Sequence, residues 1–205
     1  MDEIRTDIDA MSSRRRRRAP GAPPFVPRFP VEMIPALAAA HMEDDDERRA
    51  FAAGRRIAAG DRTRDDLMAI FEWKTRGRGR SRPARNADAE IRDALDLATT
   101  ARTERAAIAV LTGLGGVDVP VASAVMTAID PGRFTIIDFR ALWSLGVERR
   151  SPYYSVGYYL DYLAACRRIA AEAGTDLRVL DRALWGYSKT NQKRVGAIRK
   201  PSEAP

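Results

Sequence analysis

Cys166 and His41 are the only cysteine and the only histidine in 205 residues. A disulfide within the chain is therefore impossible, and the usual Cys/His zinc and iron–sulfur sites are excluded within one chain. A triad that needs histidine has only His41, which sits in a polar stretch expected at the periphery. No apolar run is long enough to cross a membrane, and "MDEIRTDIDAM" lacks the charged-then-apolar order of a signal peptide. A cytoplasmic protein is expected. Runs of β-branched residues are few and no segment alternates for long, so strands are expected to be absent or minor.

What is present is a globular balance, with 45% hydrophobic and 31% charged residues over a length suited to one domain. Alanine and arginine are abundant, which favours helix. The formal net charge of +7 bears on partners rather than fold: phosphate polymers or anionic surfaces are favoured, the plain alternative being a basic soluble protein.

Residues 1–30 begin acidic and continue as "SSRRRRRAPGAPPFVPRFP", a run of arginines followed by proline-rich chain. This composition predicts a flexible arm, either an electrostatic tether to nucleic acid or a solvated tail. No amphipathic apolar face adjoins the arginines, which argues against a membrane partner.

Residues 31–190 read as one helical domain. "RDDLMAIFEWKT" places Leu67, Ile70 and Phe71 on one helix face and stops at the basic loop "RGRGRSRPARN". Further helices follow in "DAEIRDALDLATTA", "TERAAIAVLTGL", "PVASAVMTAID", "FRALWSLG", "VGYYLDYLAACRRIAAEAG" and "DLRVLDRALWGYSKTN". Thr103 and Glu104 suit a helix start, Pro120 a first turn and Gly174 a C-cap. Residues 191–205 form a basic tail. The fold class is all-α.

Most information lies in "LTGLGGVDVPVASAVMTAIDPGRFTIIDFRAL", residues 111–142. A helix, the turn Leu114-Gly115-Gly116-Val117-Asp118 and a second helix make a helix–hairpin–helix pattern. Glycines there permit left-handed dihedrals and let backbone amides approach a phosphate at the positive end of the next helix. An ordinary αα-hairpin with a glycine turn fits the same residues.

The stretch resembles the helix–hairpin–helix DNA glycosylase superfamily, of the endonuclease III and adenine-DNA-glycosylase type. That family's hairpin reads roughly L-P-G-V-G-x-K/x-T-A, and the matching residues here run from Leu114 through Val117 and Val119 to Ala122. Asp138 in "FTIIDFRAL" falls where the family has its catalytic aspartate. Three departures stand out. Asp118 replaces the second hairpin glycine, and its carboxylate is expected to point away or to cap the next helix. Pro120 occupies the position of the bifunctional members' lysine nucleophile and has no free amine. The iron–sulfur cysteines are missing.

The resemblance implies a compact helical glycosylase domain and a monofunctional enzyme without cofactor or metal. It would bind double-stranded DNA in the nucleoid as a monomer, flip out a damaged or modified base, and hydrolyse the N-glycosidic bond to leave an abasic site. A fixed carboxylate stabilises the oxocarbenium charge and activates water. Asp138 has that role, or is simply a helix N-cap; the two coexist. Repair targets such as oxidised guanine or alkylated purine are the default, and phage defence against hypermodified cytosine, for instance glucosylated, is the other setting. A non-catalytic helix–hairpin–helix DNA-binding protein is the alternative, and an RNA-directed protein a third reading.

The base-pocket candidates are Trp73, Asn86, Tyr153 and Tyr154, with Asn86 either a helix cap or a base-edge reader. Phe71, Trp143, Tyr158 and Tyr159 are further aromatics for which core is the competing role. DNA contacts are expected from the hairpin (Gly115, Gly116, Val117, Val119) and from Lys74, Arg140 and Lys193, with Lys189 and Arg194 beside them. Lys74 is open to three readings: a phosphate contact, a displaced amine nucleophile, or a solvated side chain. Arg140 either reaches phosphate or pairs with an acid.

Overall fold

The computed structural model describes residues 25–148 and 153–192. Within them the chain is all-helical, with no strand among the described residues. The α-helices run α1 Ile34–Ala39, α2 Asp45–Ala59, α3 Arg64–Thr75, α4 Asp88–Thr100 and α5 Glu104–Leu111. They continue as α6 Val119–Ile129, α7 Phe139–Ser144, α8 Val156–Glu172 and α9 Leu177–Asn191.

Short polar residues start most of them. Asp44, Thr63, Thr103, Asp118, Asp138, Ser155 and Asp176 each accept a first-turn backbone N–H, supplying a donor's missing partner. α6 is buried on nearly every side, as an apolar helix without a polar face must be. It packs against α2, α3 and α5. The crossing with α2 is close enough that a Cβ on Gly54 would lie 2.1 Å from the Ala128 carbonyl oxygen, so only glycine fits there.

The arm expected over residues 1–30 does not hold for residues 25–30, which pack on the domain. Phe25 and Phe29 are each only 6% exposed, and the amides of Val26 and Arg28 donate to the carbonyls of Leu145 and Ser144 at 3.1 and 2.8 Å. Proline and arginine set the composition of that stretch, but its two phenylalanines find aromatic partners in Tyr158, Tyr162 and Tyr187. The arginine run lies outside the described residues, as do Lys193, Arg194 and the rest of the tail beyond Gln192. No helix among the described residues is long and apolar enough to cross a membrane.

Candidate functional site

α5, the turn at residues 112–118 and α6 form the hairpin that the glycines predicted. Only Gly116 takes a left-handed conformation, with φ +83, whereas Asp118 is extended with φ −90. Asp118 accepts from the Val121 amide at 3.0 Å and caps α6, one of the two fates expected for its carboxylate.

The turn packs on the basic loop that follows α3. A Cβ on Gly116 would fall 2.7 Å from both the Arg82 Cβ and the Pro83 Cδ. Asn86 clamps the same contact: its Oδ1 accepts from the Gly115 amide at 2.8 Å, and its Nδ2 donates to the Gly115 and Pro83 carbonyls. Two expectations are corrected here. Asn86 does not cap α4, whose N-cap is Ala87, but closes the 3-10 turn Pro83–Arg85; nor does it line the cleft described below, because its amide is engaged by the loop and hairpin. The Gly115 amide is likewise already donated, and so is that of Val117, which bonds the Leu114 carbonyl. No hydrogen bond among the described residues occupies the amides of Gly116 or Val119, which lie beside the N-terminus of α6.

A polar side chain links the hairpin to Asp138. Ser123, fully buried on α6, accepts from the Ile137 amide at 3.2 Å. The preceding carbonyls, Thr135 and Ile136, accept from the hydroxyls of Tyr159 and Tyr162 at 3.0 and 2.8 Å. Burial holds both phenols well above their ordinary range, so they remain neutral donors. These three bonds give the Ile137 amide and the Thr135 and Ile136 carbonyls their partners where the non-helical segment 133–138 runs through the interior, as buried backbone requires. Asp138 emerges from it at a fixed distance from the hairpin.

The Asp138 carboxylate caps α7. Its Oδ1 accepts from the amides of Arg140 and Ala141, each at 2.9 Å, and its Oδ2 lies 3.3 Å from Lys74 Nζ. The two side chains are 21% and 12% exposed, so this is a half-buried ion pair rather than a surface one. Lys74 arrives from the last turn of α3. Of the readings open for it, the solvated side chain is overturned, since burial and Asp138 both hold it.

Asp138 and Lys74 line a cleft of about 990 Å³ between α2, α3, α7 and α9. Trp73 lines it too. Tyr153 and Tyr154 do not: Tyr153 is 81% exposed, and Tyr154 stacks on Tyr158 with ring centroids 6.0 Å apart. Phe71 and Tyr159 are core residues, and Trp143 lies under the Arg28 guanidinium. Arg140 and Lys189 each lie against the ring of Trp185, their cationic groups 5.5 and 4.9 Å from its centroid.

The α2/α9 wall is made of residues that periodicity gave no reason to single out. Glu47 of α2, 3% exposed, receives Arg178 of α9, Arg182 at 3.3 Å and His41 at 3.1 Å. His41 thus belongs to the cleft rather than the periphery. Burial opposes ionisation of Glu47, but His41, Arg178 and Arg182 outweigh it and hold the carboxyl below its ordinary range. Arg178 also binds Asp181 and lies over Phe51, 4.4 Å from its centroid. On a helix of mixed character, Asp181, Arg178 and Arg182 look like solvated charges until the partner helix is known. Cys166 is buried, and burial pushes its thiol up to about 12, which leaves it chemically quiet. Among the described residues no three His, Cys, Asp or Glu side chains gather in a way that could hold a metal ion.

No family model, curated protein or solved structure matches the chain.

Proposed function

We propose that the chain is a monofunctional DNA glycosylase of the helix–hairpin–helix type, hydrolysing the N-glycosidic bond of a damaged or modified base. The observation that carries this reading is the Asp138 carboxylate. It stands in a cleft large enough for a flipped nucleotide, is oriented by two α7 amides, and is tied through Ile137 and Ser123 to the hairpin helix. The hairpin would hold a backbone phosphate through the Gly116 and Val119 amides. The five arginines of the loop at residues 76–85, which meets the hairpin turn at Arg82 and Pro83, would add sequence-independent attraction to DNA. With the target sugar beside it, Asp138 stabilises the charge that develops at C1′ and takes a proton from the attacking water.

Lys74 is read as the counter-charge of Asp138, and base release as hydrolysis. The test combines two assays on duplexes carrying a panel of modified bases. Alkali-labile sites are expected with the wild type and not with Asp138→Asn. Borohydride is expected to trap no covalent adduct; an adduct abolished in Lys74→Ala would overturn hydrolysis in favour of an amine nucleophile.

One observation favours the alternative, a DNA-binding module without chemistry: capping α7 and pairing with Lys74 are sufficient structural work for Asp138. That reading requires salt-sensitive duplex binding, unchanged in Asp138→Asn, with no base released from any substrate.

A further inference from the structure

We propose that the rim of the cleft formed by α7 and α9 binds an unpaired DNA strand: Phe139 stacks on a base, and Arg140 and Lys189, carried on Trp185, hold phosphates. The inference concerns binding, so it holds or fails apart from the glycosylase reading.

Asp138 caps α7 through the amides of Arg140 and Ala141, which fixes the first turn of a helix that packs on α9. Phe139 opens that turn on the lining of the cleft. Of the six phenylalanines it alone is exposed, at 59%, while Ala141 and Leu142 of the same helix are buried. An aromatic ring in water beside a cleft has a face to offer a partner.

Trp185 and Lys189 stand four positions apart on α9 and so share a helix face. The Lys189 ammonium lies 4.9 Å from the Trp185 centroid. The Arg140 guanidinium lies 5.5 Å from that centroid and 5.1 Å from the centroid of Phe139. His41 meets the same indole in a T-shaped contact at 5.1 Å. Aromatic rings thus hold both cations in place, but neither carries a counter-charge. Among the described residues the two side chains make no hydrogen bond and no ion pair. Other cations of the same cleft differ: Lys74, Arg178 and Arg182 each meet a carboxylate. A cation–π contact leaves N–H groups free to donate, and two such cations without an acid suit the phosphates of one strand.

Ring and cation side by side is the arrangement that grips single strands, since every base has a face to stack and every nucleotide a phosphate. A base inside a duplex has both faces covered by its neighbours and cannot lie on Phe139. The surface therefore selects the unpaired form, whereas the hairpin amides would take a phosphate from either. On the glycosylase reading, a strand seated at Phe139 brings its next nucleotide to Asp138.

The test is fluorescence anisotropy of the full chain with a labelled oligothymidylate of about 16 nucleotides, a duplex of the same length and an oligouridylate, over a series of salt concentrations. Phe139→Ala is expected to weaken oligothymidylate binding on the order of 10-fold and to leave duplex binding unchanged. Phe139→Trp, which keeps a ring, should bind the single strand as the wild type does. Lys189→Ala should lower the salt slope for the single strand by about 0.7, the share of one phosphate. Every variant retains the arginine run of residues 14–18, so its attraction cancels from each comparison. Phe139 and Lys189 are both exposed, and the unfolding midpoints of the variants are expected to match the wild type. Equal losses on single strand and duplex, or no loss in Phe139→Ala, overturn the proposal, as does an unchanged salt slope in Lys189→Ala. Tighter binding of oligouridylate than of oligothymidylate would assign the surface to RNA and overturn it as well.

Discussion

The hairpin with the segment that leads to Asp138, and the α2/α9 wall of the cleft, are built from different materials. On the hairpin side, residues 112–138 hold their shape through backbone amides, one left-handed glycine, a serine and two tyrosine hydroxyls. On the α2/α9 side, shape depends on long charged side chains, with Glu47, Arg178, Asp181 and Arg182 packed into one cluster. Backbone groups offer the same donors whatever the target, which suits a phosphate. A cluster of buried charges is costly to assemble and presents an individual pattern of donors and acceptors. On this account the hairpin side holds any DNA, and the α9 side decides which base reacts.

The difference can be broken most severely at Glu47. Glu47→Ala leaves Arg178 and Arg182 without their shared acceptor and should cost about 3–5 kcal/mol, read by urea unfolding. A loss within error would mean the cluster is solvated and organises nothing. Next comes Gly116→Val, which forces a branched side chain into φ +83 and against Arg82 and Pro83. The expected loss is about 1–3 kcal/mol, with duplex binding weakened at every salt concentration and base preference unchanged. A change in base preference would contradict the division between the two sides.

The smallest effect lies outside both. Glu104 begins α5 and pairs with Arg167 and Arg133 at 2.9 and 3.3 Å. The hydrogen bond from Arg167 leads the contacts that bring its carboxyl down to about 2, from an ordinary value of 4.5. Because the folded value is the lower one, the pair stabilises the fold above pH 4.5. That contribution is lost as the pH falls toward 2. Glu104→Gln should therefore cost about 1 kcal/mol at neutral pH, an amount discounted for its partial exposure, and nothing at the acid end. A cost independent of pH would assign the effect to packing.

How far each side could be read from sequence follows from the same contrast. The hairpin was legible because it depends on residues with narrow conformational uses: a glycine at a left-handed turn, a proline in a first helical turn, Asp118 and Asp138 as caps. The helices were legible from apolar spacing. The α9 wall was not, because Arg178, Asp181 and Arg182 acquire meaning only when α2 supplies Glu47 from more than a hundred positions earlier. His41 was misjudged for that reason: its local sequence is polar, and its partner arrives by tertiary packing. Asn86 failed differently, since a side chain with donors and an acceptor fits a base edge and a backbone clamp equally well. Tyr153 and Tyr154 were candidates only as aromatics, and aromatic character alone carries no direction.

The central claim, that Asp138 drives release of a base from DNA, is tested most directly by mass spectrometry of the free bases liberated from genomic DNAs of differing modification, phage DNA included. The account predicts one modified base released intact by the wild-type chain, and a loss of at least 10²-fold in Asp138→Asn, the scale of removing a preorganised charge-stabilising group. Release undiminished in Asp138→Asn would contradict it.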